Sequence, residues 1–358
     1  MKIIAAHLFN DYSGSPKVLM QLIKGWARNG IPCTLYTCSK REGFLSDLTN
    51  VNYSYFEYSY KKNPWLRLLN LIWSQIILAL KISQNSSKTD IIYVNTILPF
   101  GAAIAGKIKG QRVIYHIHES SIRPKLLKIF LLSIVKWCAT DVIYVSNYLA
   151  NAEPIADKKK HVIHNALEQT YLNKAVLNRS SKQNLKNVLM VCSLKKYKGL
   201  NEFVTLAQTL KYHNFKLVIN ANTKSIATFF NGISLPNNLT IYATQTDLHP
   251  HYKWADLVLN LSHTDQWVET FGLTLIEGMA YGAPAIAPPI GGVKEVVFDG
   301  ENGFTISSKN ITLIANKIIL LTQNNTAFKA LSLKALETAN SFSEEKLIEQ
   351  NLNLILNH

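Results

Sequence analysis

Two glutamates, Glu269 and Glu277, stand in a segment whose residue types suit the binding of a phosphorylated, polyhydroxylated molecule. The segment reads E-T-F-G-L-T-L-I-E, and its pattern predicts a loop that carries Glu269 and a helix that begins near Phe271 to Leu273. The amides of Phe271, Gly272 and Leu273 and the helix dipole would favour an anion there, and Gly272 lets the backbone come close to it. A carboxylate beside such a site accepts hydrogen bonds from hydroxyls, and Glu277 could bind a vicinal diol with both oxygens.

The plainer interpretation makes Glu269 a solvated charge and Glu277 a helix-surface residue. The neighbours of Glu277 on the predicted helix are apolar: Leu273, Leu275, Ile276, Met279 and Ala280. Because a bare carboxylate on a largely buried helix is costly, these neighbours argue against the surface position. We therefore favour a binding role for both glutamates.

Short apolar runs alternate with helical patterns along all 358 residues, which is typical of parallel βαβ units. The predicted strands form two series, 2–6, 34–37, 91–94, 113–116, 142–145 and 162–164, then 188–192, 216–220, 239–242, 257–261, 285–287 and 304–306. The polar stretch 165–186 lies between the two series and marks the predicted domain boundary.

This pattern predicts an α/β protein with two Rossmann-like, doubly wound domains, residues 1–170 and 171–340. Residues 341–358 are predicted to form a C-terminal helix that packs back toward the N-terminal domain. Ligands of such folds bind beyond the carboxyl ends of the strands, so a cleft between the domains is the expected site.

The spacing of Glu269 and Glu277 resembles the E-x7-E motif of the retaining family 4 glycosyltransferases, which have the GT-B fold. The downstream run P-I-G-G-V-K-E-V-V-F-D-G-E-N-G-F, residues 289–304, is similar to the next segment of that family. The resemblance extends over most of the chain, is densest over residues 255–306 and is thinner in the N-terminal half.

The resemblance implies a role for each matching residue of the second half. Glu269 would contact hydroxyls of the donor sugar near the reacting carbon, and Glu277 would bind the ribose hydroxyls of the nucleotide. The amides of Phe271 to Leu273 would hold the sugar and the diphosphate. Lys198, in V-C-S-L-K-K-Y-K-G, would neutralise the leaving diphosphate as a point charge.

The sequence departs from the family at Ser193, a predicted donor-binding residue that stands where an arginine is common, five residues before Lys198. Lys195 and Lys196, in the same loop, are candidates for the missing second cation. The alternative for both is a solvated, lysine-rich turn, since charged turn residues are usually exposed.

In the first half, the resemblance selects His118, at the carboxyl end of a predicted strand, as a residue near the donor sugar and the reaction centre. A lone histidine at a strand end is more often structural. Gly14 and Ser15 resemble the glycine-rich loop that approaches the donor phosphates and the acceptor, with Ser15 in the place of the usual second glycine.

Several other nucleotide- and metal-binding patterns are missing from the sequence. It contains no G-x-G-x-x-G after the first strand, no Walker A loop, no D-x-D pair and no His, Cys or Asp cluster with convincing metal spacing. We therefore expect neither a metal nor a cofactor, with a nucleotide-diphosphate sugar as the donor substrate. The four cysteines form no C-x-x-C pair and are expected to be reduced thiols of a cytosolic protein.

The net charge of +15 is unevenly distributed. Residues 1–180 contain 23 lysines and arginines against 10 aspartates and glutamates, a net +13, which leaves +2 for the rest. This asymmetry suggests a polyanion or an anionic membrane surface as a partner of the N-terminal half, and a generally basic, solvated surface is the alternative.

Two segments, 53–69 and 123–137, combine basic residues with tyrosines and tryptophans of the kind found at membrane interfaces. Such segments can bind anionic headgroups, although ordinary helices with snorkelling lysines are the alternative for the second. The apolar run Trp65–Leu80 falls short of the roughly 20 residues that span a bilayer, so we predict no transmembrane helix. The expected location is cytoplasmic, peripheral on the inner face of the cytoplasmic membrane.

The predicted function is therefore retaining transfer of a hexose-type sugar from a nucleotide-diphosphate sugar to a glycan or lipid-linked acceptor, in cell-surface polysaccharide or lipopolysaccharide biosynthesis. One alternative is a nucleotide-sugar epimerase of similar architecture. A second is a basic protein that binds nucleic acid or another polyanion, although the sequence contains no recognisable nucleic-acid module and we expect no nucleic-acid partner. A third is an inactive, lectin-like binder, which the missing cation at Ser193 keeps open.

Overall fold

A computed structural model describes residues 1–357 of the chain. The chain forms two compact units. Unit 1 comprises Met1–Asn165 and the C-terminal segment that begins at Glu345, and unit 2 comprises Ala166–Glu344.

Unit 1 is built on a parallel sheet whose strand order is β3-β2-β1-β4-β5-β6-β7. Its strands are β1 (Ile3–Ala6), β2 (Cys33–Cys38), β3 (Val51–Phe56), β4 (Ile91–Asn95), β5 (Arg112–Ile117), β6 (Asp141–Tyr144) and β7 (Lys159–Val162). Its helices are α1 (Gly14–Arg28), α2 (Pro64–Asn85), α3 (Phe100–Ile108), α4 (Lys125–Cys138) and α5 (Asn147–Ala152). Strand β1 pairs in parallel with both β2 and β4. The strand order therefore reverses between β1 and β4, which is the topological switch point of this doubly wound sheet.

Unit 2 repeats this architecture with the strand order β10-β9-β8-β11-β12-β13. Its strands are β8 (Asn187–Ser193), β9 (Asn214–Asn220), β10 (Leu239–Tyr242), β11 (Leu257–Leu259), β12 (Ala285–Ala287) and β13 (Gly303–Thr305). Its helices are α6 (Gln169–Asn178), α7 (Leu200–Thr209), α8 (Thr223–Phe229), α9 (His249–Trp254), α10 (Leu273–Met279), α11 (Ile311–Gln323) and α12 (Asn325–Ser341), with 3₁₀ turns at Lys196–Lys198 and Gly292–Glu295.

The core of unit 2 packs helices on its sheet through fully buried aromatic residues. Phe203 of α7 and Phe215 of β9 meet edge to face with ring centroids 5.3 Å apart, and Phe328 of α12 is also fully buried. Each such side chain contributes about 1.5–3 kcal/mol of stabilisation through burial. This packing fixes the carboxyl ends of β8 and β11, from which the loops of the candidate site extend.

The last helix, α13 (Glu344–Leu356), belongs to unit 1 from Glu345 onward and packs against the rest of that unit. Asn351 accepts a hydrogen bond from the indole of Trp26 at 2.9 Å, and Arg112 donates to the backbone oxygens of Leu354 and Ile355. A side chain at Gly25 would collide with Ile348, since a Cβ there would lie 2.7 Å from that residue. Helices α1, which contains Gly25, and α13 therefore meet closely, and the glycine makes this approach possible.

The sequence pattern missed strand β3. We assigned Tyr53, Tyr55 and Phe56 to a membrane-facing surface segment, whereas they belong to a strand at the edge of the first sheet. Phe56 is buried, and the hydroxyl of Tyr53 donates to the backbone oxygen of Leu45 and accepts from the amide of Leu48. Phe56 and the hydroxyl of Tyr53 are therefore held within unit 1, whereas Tyr55 is 49% exposed, and the interfacial role of residues 53–69 stays a prediction.

Helix α2 is longer than the apolar run suggested. It extends over 22 residues because Asn63 caps its first turn, accepting from the amides of Trp65 and Leu66, and Pro64 occupies the first helical position. Within residues 1–357 it is the helix long and apolar enough to cross a membrane, by length and composition only. Helix length therefore gives no ground for the predicted absence of a transmembrane helix, and 28% of the most apolar window of α2 is buried in the protein.

Candidate active site

Lys198 and Glu269 form an ion pair at the carboxyl end of the second sheet. Lys198 ends the 3₁₀ turn that follows β8, and Glu269 lies in the loop between β11 and α10. The ammonium of Lys198 contacts the carboxylate oxygen Oε1 of Glu269, and the two side chains are only 14% and 18% exposed. Gly199 makes the turn possible, because its φ is +79° and a Cβ there would lie 2.3 Å from the backbone oxygen of Leu261.

Glu269 is held as a carboxylate by its neighbours. Burial alone would raise the pKa of Glu269, but the ammonium of Lys198 and hydrogen bonds from Ser262 and Asn260 outweigh it and hold that pKa below its ordinary value. The hydroxyl of Ser262 donates to the same oxygen, Oε1, at 2.9 Å. The site thus combines an ionised carboxylate with a cation, and both side chains are mostly buried.

An aromatic wall beside Lys198 was not anticipated from the sequence. Trp267 stacks on Tyr197 with ring centroids 5.4 Å apart and planes 13° from parallel, and the ammonium of Lys198 lies 5.0 Å from the centre of the Trp267 ring. A cation over an indole face is stabilised by the ring quadrupole. These rings therefore restrict the positions of Lys198, and only the unusual tryptophan two residues before Glu269 could have signalled them.

The loop around Glu269 requires glycines on the opposing segment. The amide of Gly292 donates to the backbone oxygen of Glu269 at 2.8 Å. A Cβ at Gly291 would lie 2.5 Å from that oxygen, and one at Gly292 would lie 1.9 Å from the oxygen of Thr270. The glycine-rich run after β12 therefore holds the backbone that presents Glu269.

Helix α10 begins at Leu273, within the predicted interval, and Gly272 precedes it with φ +118°. The residues predicted to bind an anion, Phe271, Gly272 and Leu273, therefore lie at the helix start. Phe271 is buried and packs edge to face on Phe342, with centroids 5.3 Å apart. The side chain of Phe271 thus anchors the segment, and a Cβ at Gly272 would lie 3.1 Å from Val293, so the positive φ and this neighbour both favour glycine there.

Glu277 lies in the second turn of α10 and is only 4% exposed. Its oxygen Oε2 accepts a hydrogen bond from Tyr252 at 2.8 Å, and its backbone oxygen accepts from Tyr171 at 3.1 Å. Burial, together with the neighbouring Glu277, raises the pKa of Tyr252 well above its ordinary value, so the hydroxyl stays a donor. The tyrosine orients the carboxylate on a helix that carries no other charged residue, and the buried position of Glu277 agrees with the expectation from its apolar neighbours.

The other predicted donor-site residues of unit 2, Ser193 and Lys195, lie at the end of β8 and in the loop that leads from β8 to Lys198. Ser193 is the last residue of β8, and its backbone oxygen accepts from the amide of Lys195 at 2.8 Å. The side chains of Lys195 and Lys196 are exposed, whereas Lys198 is mostly buried. The structure brings Lys198 alone of these lysines to Glu269, and the assignment of a second cation to Lys195 or Lys196 stays a prediction.

In unit 1, His118 follows directly after β5 and is 9% exposed. Its ring lies 4.2 Å from that of His116, and its Nε2 is 2.9 Å from Oδ1 of Asn95. Burial and the neighbouring His116 and His7 lower the pKa of His118 well below its ordinary value, so the imidazole is neutral at neutral pH. Burial also raises the pKa of the adjacent Glu119 to about 7, a group that sequence reasoning did not single out.

Gly14 and Ser15 begin α1 at the carboxyl end of β1. Asp11 accepts from the amide of Ser13 at 2.9 Å, which shapes the turn into the helix. The backbone oxygen of Ser15 accepts from the side-chain amide of Asn95 at 3.1 Å. The structure therefore joins the Gly14–Ser15 loop to His118 through one residue, Asn95, that the sequence analysis missed.

No group of three or more His, Cys, Asp or Glu side chains within residues 1–357 is arranged to hold a metal ion. Over the same residues Cys33, Cys38, Cys138 and Cys192 are free thiols. Metal independence of the reaction stays a prediction, and the cation that the described site does supply is Lys198.

Comparison with known proteins places both halves of the chain. Residues 12–169 match the family model described as Glycosyltransferase Family 4, and residues 174–344 match the model described as Glycosyl transferases group 1. An uncharacterized glycosyltransferase of Methanocaldococcus jannaschii is 38% identical over 80 residues, covering 22% of this chain and 23% of that protein. One of Haemophilus influenzae is 28% identical over 202 residues, covering 54% of each chain. The matches thus span from under a quarter to about half of these relatives' own lengths.

Among solved structures, the chain is similar to Anabaena Alr3699/HepE in complex with UDP-glucose. The two share 20% sequence identity, the match covers 100% of each chain, and the TM-score is 0.79. This likeness supports the fold, two Rossmann-like units as in GT-B glycosyltransferases. With both family models matching, the chain belongs to the family 4 glycosyltransferases of the GT-B fold.

Proposed function

We propose that this protein is a retaining hexosyltransferase that takes its sugar from a nucleotide-diphosphate sugar. The observation that carries the proposal is the buried pair of Lys198 and Glu269 beside the start of α10, in the same unit as the buried Glu277. One cation, one ionised carboxylate and a helix start suit a diphosphate joined to a hydroxyl-rich sugar. The acceptor we propose is a glycan or lipid-linked molecule, in cell-surface polysaccharide or lipopolysaccharide biosynthesis.

The mechanism we propose assigns charge neutralisation to Lys198. When the donor binds, its diphosphate would displace Glu269 from the ammonium, and Lys198 with the amides at the start of α10 would stabilise the departing diphosphate. The freed carboxylate of Glu269 would accept hydrogen bonds from the sugar hydroxyls. The acceptor hydroxyl would attack the reacting carbon from the same face of the sugar from which the diphosphate leaves, and the donor phosphate would take the acceptor proton. The anomeric configuration would thus be retained, without a metal.

A donor preference for nucleotide sugars is supported by Glu277 and Tyr252. A buried carboxylate that already accepts one tyrosine hydroxyl is oriented to accept further hydroxyls, as a ribose diol would offer. The similar Anabaena structure contains UDP-glucose, which makes this nucleotide sugar the first to test. A thermal-shift screen of the wild-type chain against a panel of nucleotide sugars would test the class, since a ligand bound only by the folded state raises the melting temperature.

Replacing Glu277 by glutamine should weaken nucleoside-diphosphate binding about 10-fold, because one charge-assisted hydrogen bond is worth about 1.5 kcal/mol more than its neutral counterpart. The affinity is measured by calorimetric titration with UDP, or with the nucleoside diphosphate of the sugar donor that gives the largest rise in melting temperature in the screen. Glu337→Gln is the matched control, since Glu337 pairs with Lys334 on the exposed surface. Equal affinities of the Glu277 and Glu337 variants would contradict the assignment.

The membrane partner is supported by the exposed side of α2. The apolar residues exposed there recur at helical spacing: Trp65, Leu69, Ile72, Trp73, Ile76 and Leu80. Helix α4 exposes a second apolar set, Leu126, Ile129, Phe130 and Trp137. Both helices contact α3, through Gln75 on α2 and through Phe130 on α4. We call these two sets of residues the α2–α4 face.

The charge around this face is complementary to an anionic surface. Residues 58–140 contain 12 lysines and arginines against two acidic residues, Asp90 and Glu119, and none of α2, α3 and α4 contains an acid. The opposite side of α2 is buried in unit 1 through Leu71, Leu78 and Ile82. A helix with one packed side and one apolar exposed side suits a position in the interface rather than across the bilayer. We therefore propose a cytoplasmic protein that binds peripherally to the membrane.

Vesicle sedimentation tests the α2–α4 face. We expect binding to phosphatidylglycerol-containing vesicles that falls with added salt, since each cation near the surface contributes about 1 kcal/mol. Trp65→Ser with Trp73→Ser should reduce binding at least about 10-fold. The control is Leu177→Ser with Tyr212→Ser, two apolar residues of unit 2 that are 84% and 94% exposed. An equal loss of vesicle binding in the control would contradict the proposal. So would a wild type that does not bind the vesicles and instead dimerises through Trp65 and Trp73.

A further inference from the structure

Asn95 is a buried amide at the carboxyl end of β4, in the middle of the first sheet. Its relative exposure is 0%, and it pairs in register with His116 of β5. An unsatisfied amide in such a position costs about 1–3 kcal/mol, so its hydrogen bonds are informative. The next residue, Thr96, has φ +72°, an uncommon conformation for a β-branched residue, and such strain collects at functional sites.

The contacts of Asn95 fix which way its side chain is turned. Its Nδ2 lies 3.1 Å from the backbone oxygen of Ser15, and because that oxygen can only accept, the atom facing it must be the NH₂ group. The other atom, Oδ1, then faces Nε2 of His118 at 2.9 Å. Since Oδ1 can only accept, Nε2 of His118 must carry a hydrogen.

This hydrogen determines what His118 can do. The imidazole is neutral at neutral pH, because burial and the facing His116 and His7 lower its pKa. A neutral ring with its hydrogen on Nε2 has its lone pair on Nδ1. His118 is therefore restricted to accepting a hydrogen bond at Nδ1, as from a sugar hydroxyl, and cannot donate from that atom.

Asn95 also reaches the other elements of the same sheet edge. Its Nδ2 lies 3.0 Å from Nδ1 of His7, and its backbone oxygen is 3.1 Å from the same nitrogen. His7 follows β1, Ser15 lies in the first turn of α1 and His118 follows β5. One amide thus joins three segments that the chain brings together only on folding.

We propose that Asn95 is a positioning residue that holds His118 in the Nε2–H tautomer and ties it to the loop of Gly14 and Ser15. The proposal rests on the proposed function for the value of this arrangement in sugar transfer. Asn95 itself contacts no reacting group in this account. Its role is to fix the position of Nδ1 of His118, the hydrogen-bond acceptor, relative to the first turn of α1.

Nitrogen-15 NMR of the histidine-labelled protein tests the tautomer directly, because the two ring nitrogens have distinct shifts in each tautomer. His118 is assigned from the signal lost in His118→Gln. We expect the Nε2–H form in the wild type, a mixture of tautomers in Asn95→Leu, and a proton retained on Nε2 in Asn95→Asp, whose carboxylate still accepts from it. An Nδ1–H ring in the wild type, or an unchanged spectrum in Asn95→Leu, would overturn the proposal.

Kinetics with UDP-glucose, or with the nucleotide sugar that binds best, supply the second readout. We expect Asn95→Leu to lower kcat about 10- to 100-fold, as small misplacements do, with the donor KM changed less than about threefold. Partial rescue of kcat by Asn95→Asp would support the tautomer's role. The control, Gln75→Leu, removes another buried amide of unit 1, which accepts from Gly101. An equal loss of kcat in the control, or a shifted tautomer at unchanged kcat, would contradict the proposal.

The two proposals fail in different ways. If the wild type transfers no sugar from any donor while its His118 spectrum shows the Nε2–H form that Asn95→Leu abolishes, the hold of Asn95 on His118 stands and the proposed function fails. If sugar transfer occurs and Asn95→Leu alters neither the spectrum nor kcat, the proposed function stands and the role of Asn95 fails.

Discussion

Glu269→Gln is expected to lower kcat for sugar transfer about 100-fold while leaving nucleoside-diphosphate affinity unchanged or tighter. Glutamine keeps the shape of Glu269 but cannot hold the ammonium of Lys198 by charge. The freed lysine would reach an incoming diphosphate without first leaving a carboxylate, so binding is not weakened. The sugar loses a charged hydrogen-bond acceptor near its reacting carbon, so the chemical step slows.

Steady-state kinetics and calorimetry on the same variant separate these two effects. The matched control is Asp256→Asn, because Asp256 forms another buried ion pair of unit 2, with Lys182 at 3.6 Å. Asp256 accepts from the amides of Lys186 and Asn187 at the amino ends of the strands, away from the loops of the site. A Glu269 variant whose kcat equals that of the control would contradict the role given to Glu269.

Lys198→Met is expected to lower kcat/KM about 100- to 1,000-fold, the usual cost of removing one group that stabilises charge in a transition state. It should also weaken nucleoside-diphosphate binding, in contrast to Glu269→Gln. A further consequence is lower stability, by about 3 kcal/mol at neutral pH, because a mostly buried carboxylate loses its cation. The double variant Glu269→Gln with Lys198→Met should recover most of that stability, since neither charge then remains.

The pH dependence of stability gives Lys198→Met an independent check. In the wild type the pKa of Glu269 is held below its ordinary value, so its contribution is present at neutral pH and is lost as the pH falls through the folded-state pKa. In the variant the lowering effect of Lys198 is lost while burial remains, so the pKa of Glu269 rises relative to the wild type and acidification destabilises the variant less. The difference in melting temperature between the two proteins should therefore narrow as the pH falls from 7 toward 4. A constant difference would contradict the ion pair.

The fold was largely predictable because parallel strands buried on both faces give short, unbroken apolar runs. β10 and β12 were predicted with the bounds that the structure shows. β3 was missed because it is an edge strand whose tyrosines are partly exposed, so its pattern resembles that of an interfacial segment. The length of α2 was missed because Arg67 and Asn70 interrupt its apolar run while still lying within the helix.

The candidate site was predictable where one segment holds several of its groups, as between Glu269 and Glu277. The ion pair of Glu269 with Lys198 joins residues 71 positions apart, and local spacing cannot show such a contact. Asn95 was missed for the same reason, since an asparagine ending an apolar run gives no chemical signal until folding places it against Ser15 and His118. Trp267 reads as a loop aromatic until its stacking on Tyr197 is seen.

The measurement that tests the central claim most directly is proton NMR of the anomeric signals during incubation with UDP-glucose and related α-linked nucleotide sugars. With water as the acceptor, we expect the wild type to consume the donor and to release nucleoside diphosphate and a free sugar whose α anomer appears first, before mutarotation. The donor signal should persist with Glu269→Gln and Lys198→Met. Formation of an epimerised nucleotide sugar would contradict the account, as would donor consumption at equal rates in the wild type and both variants.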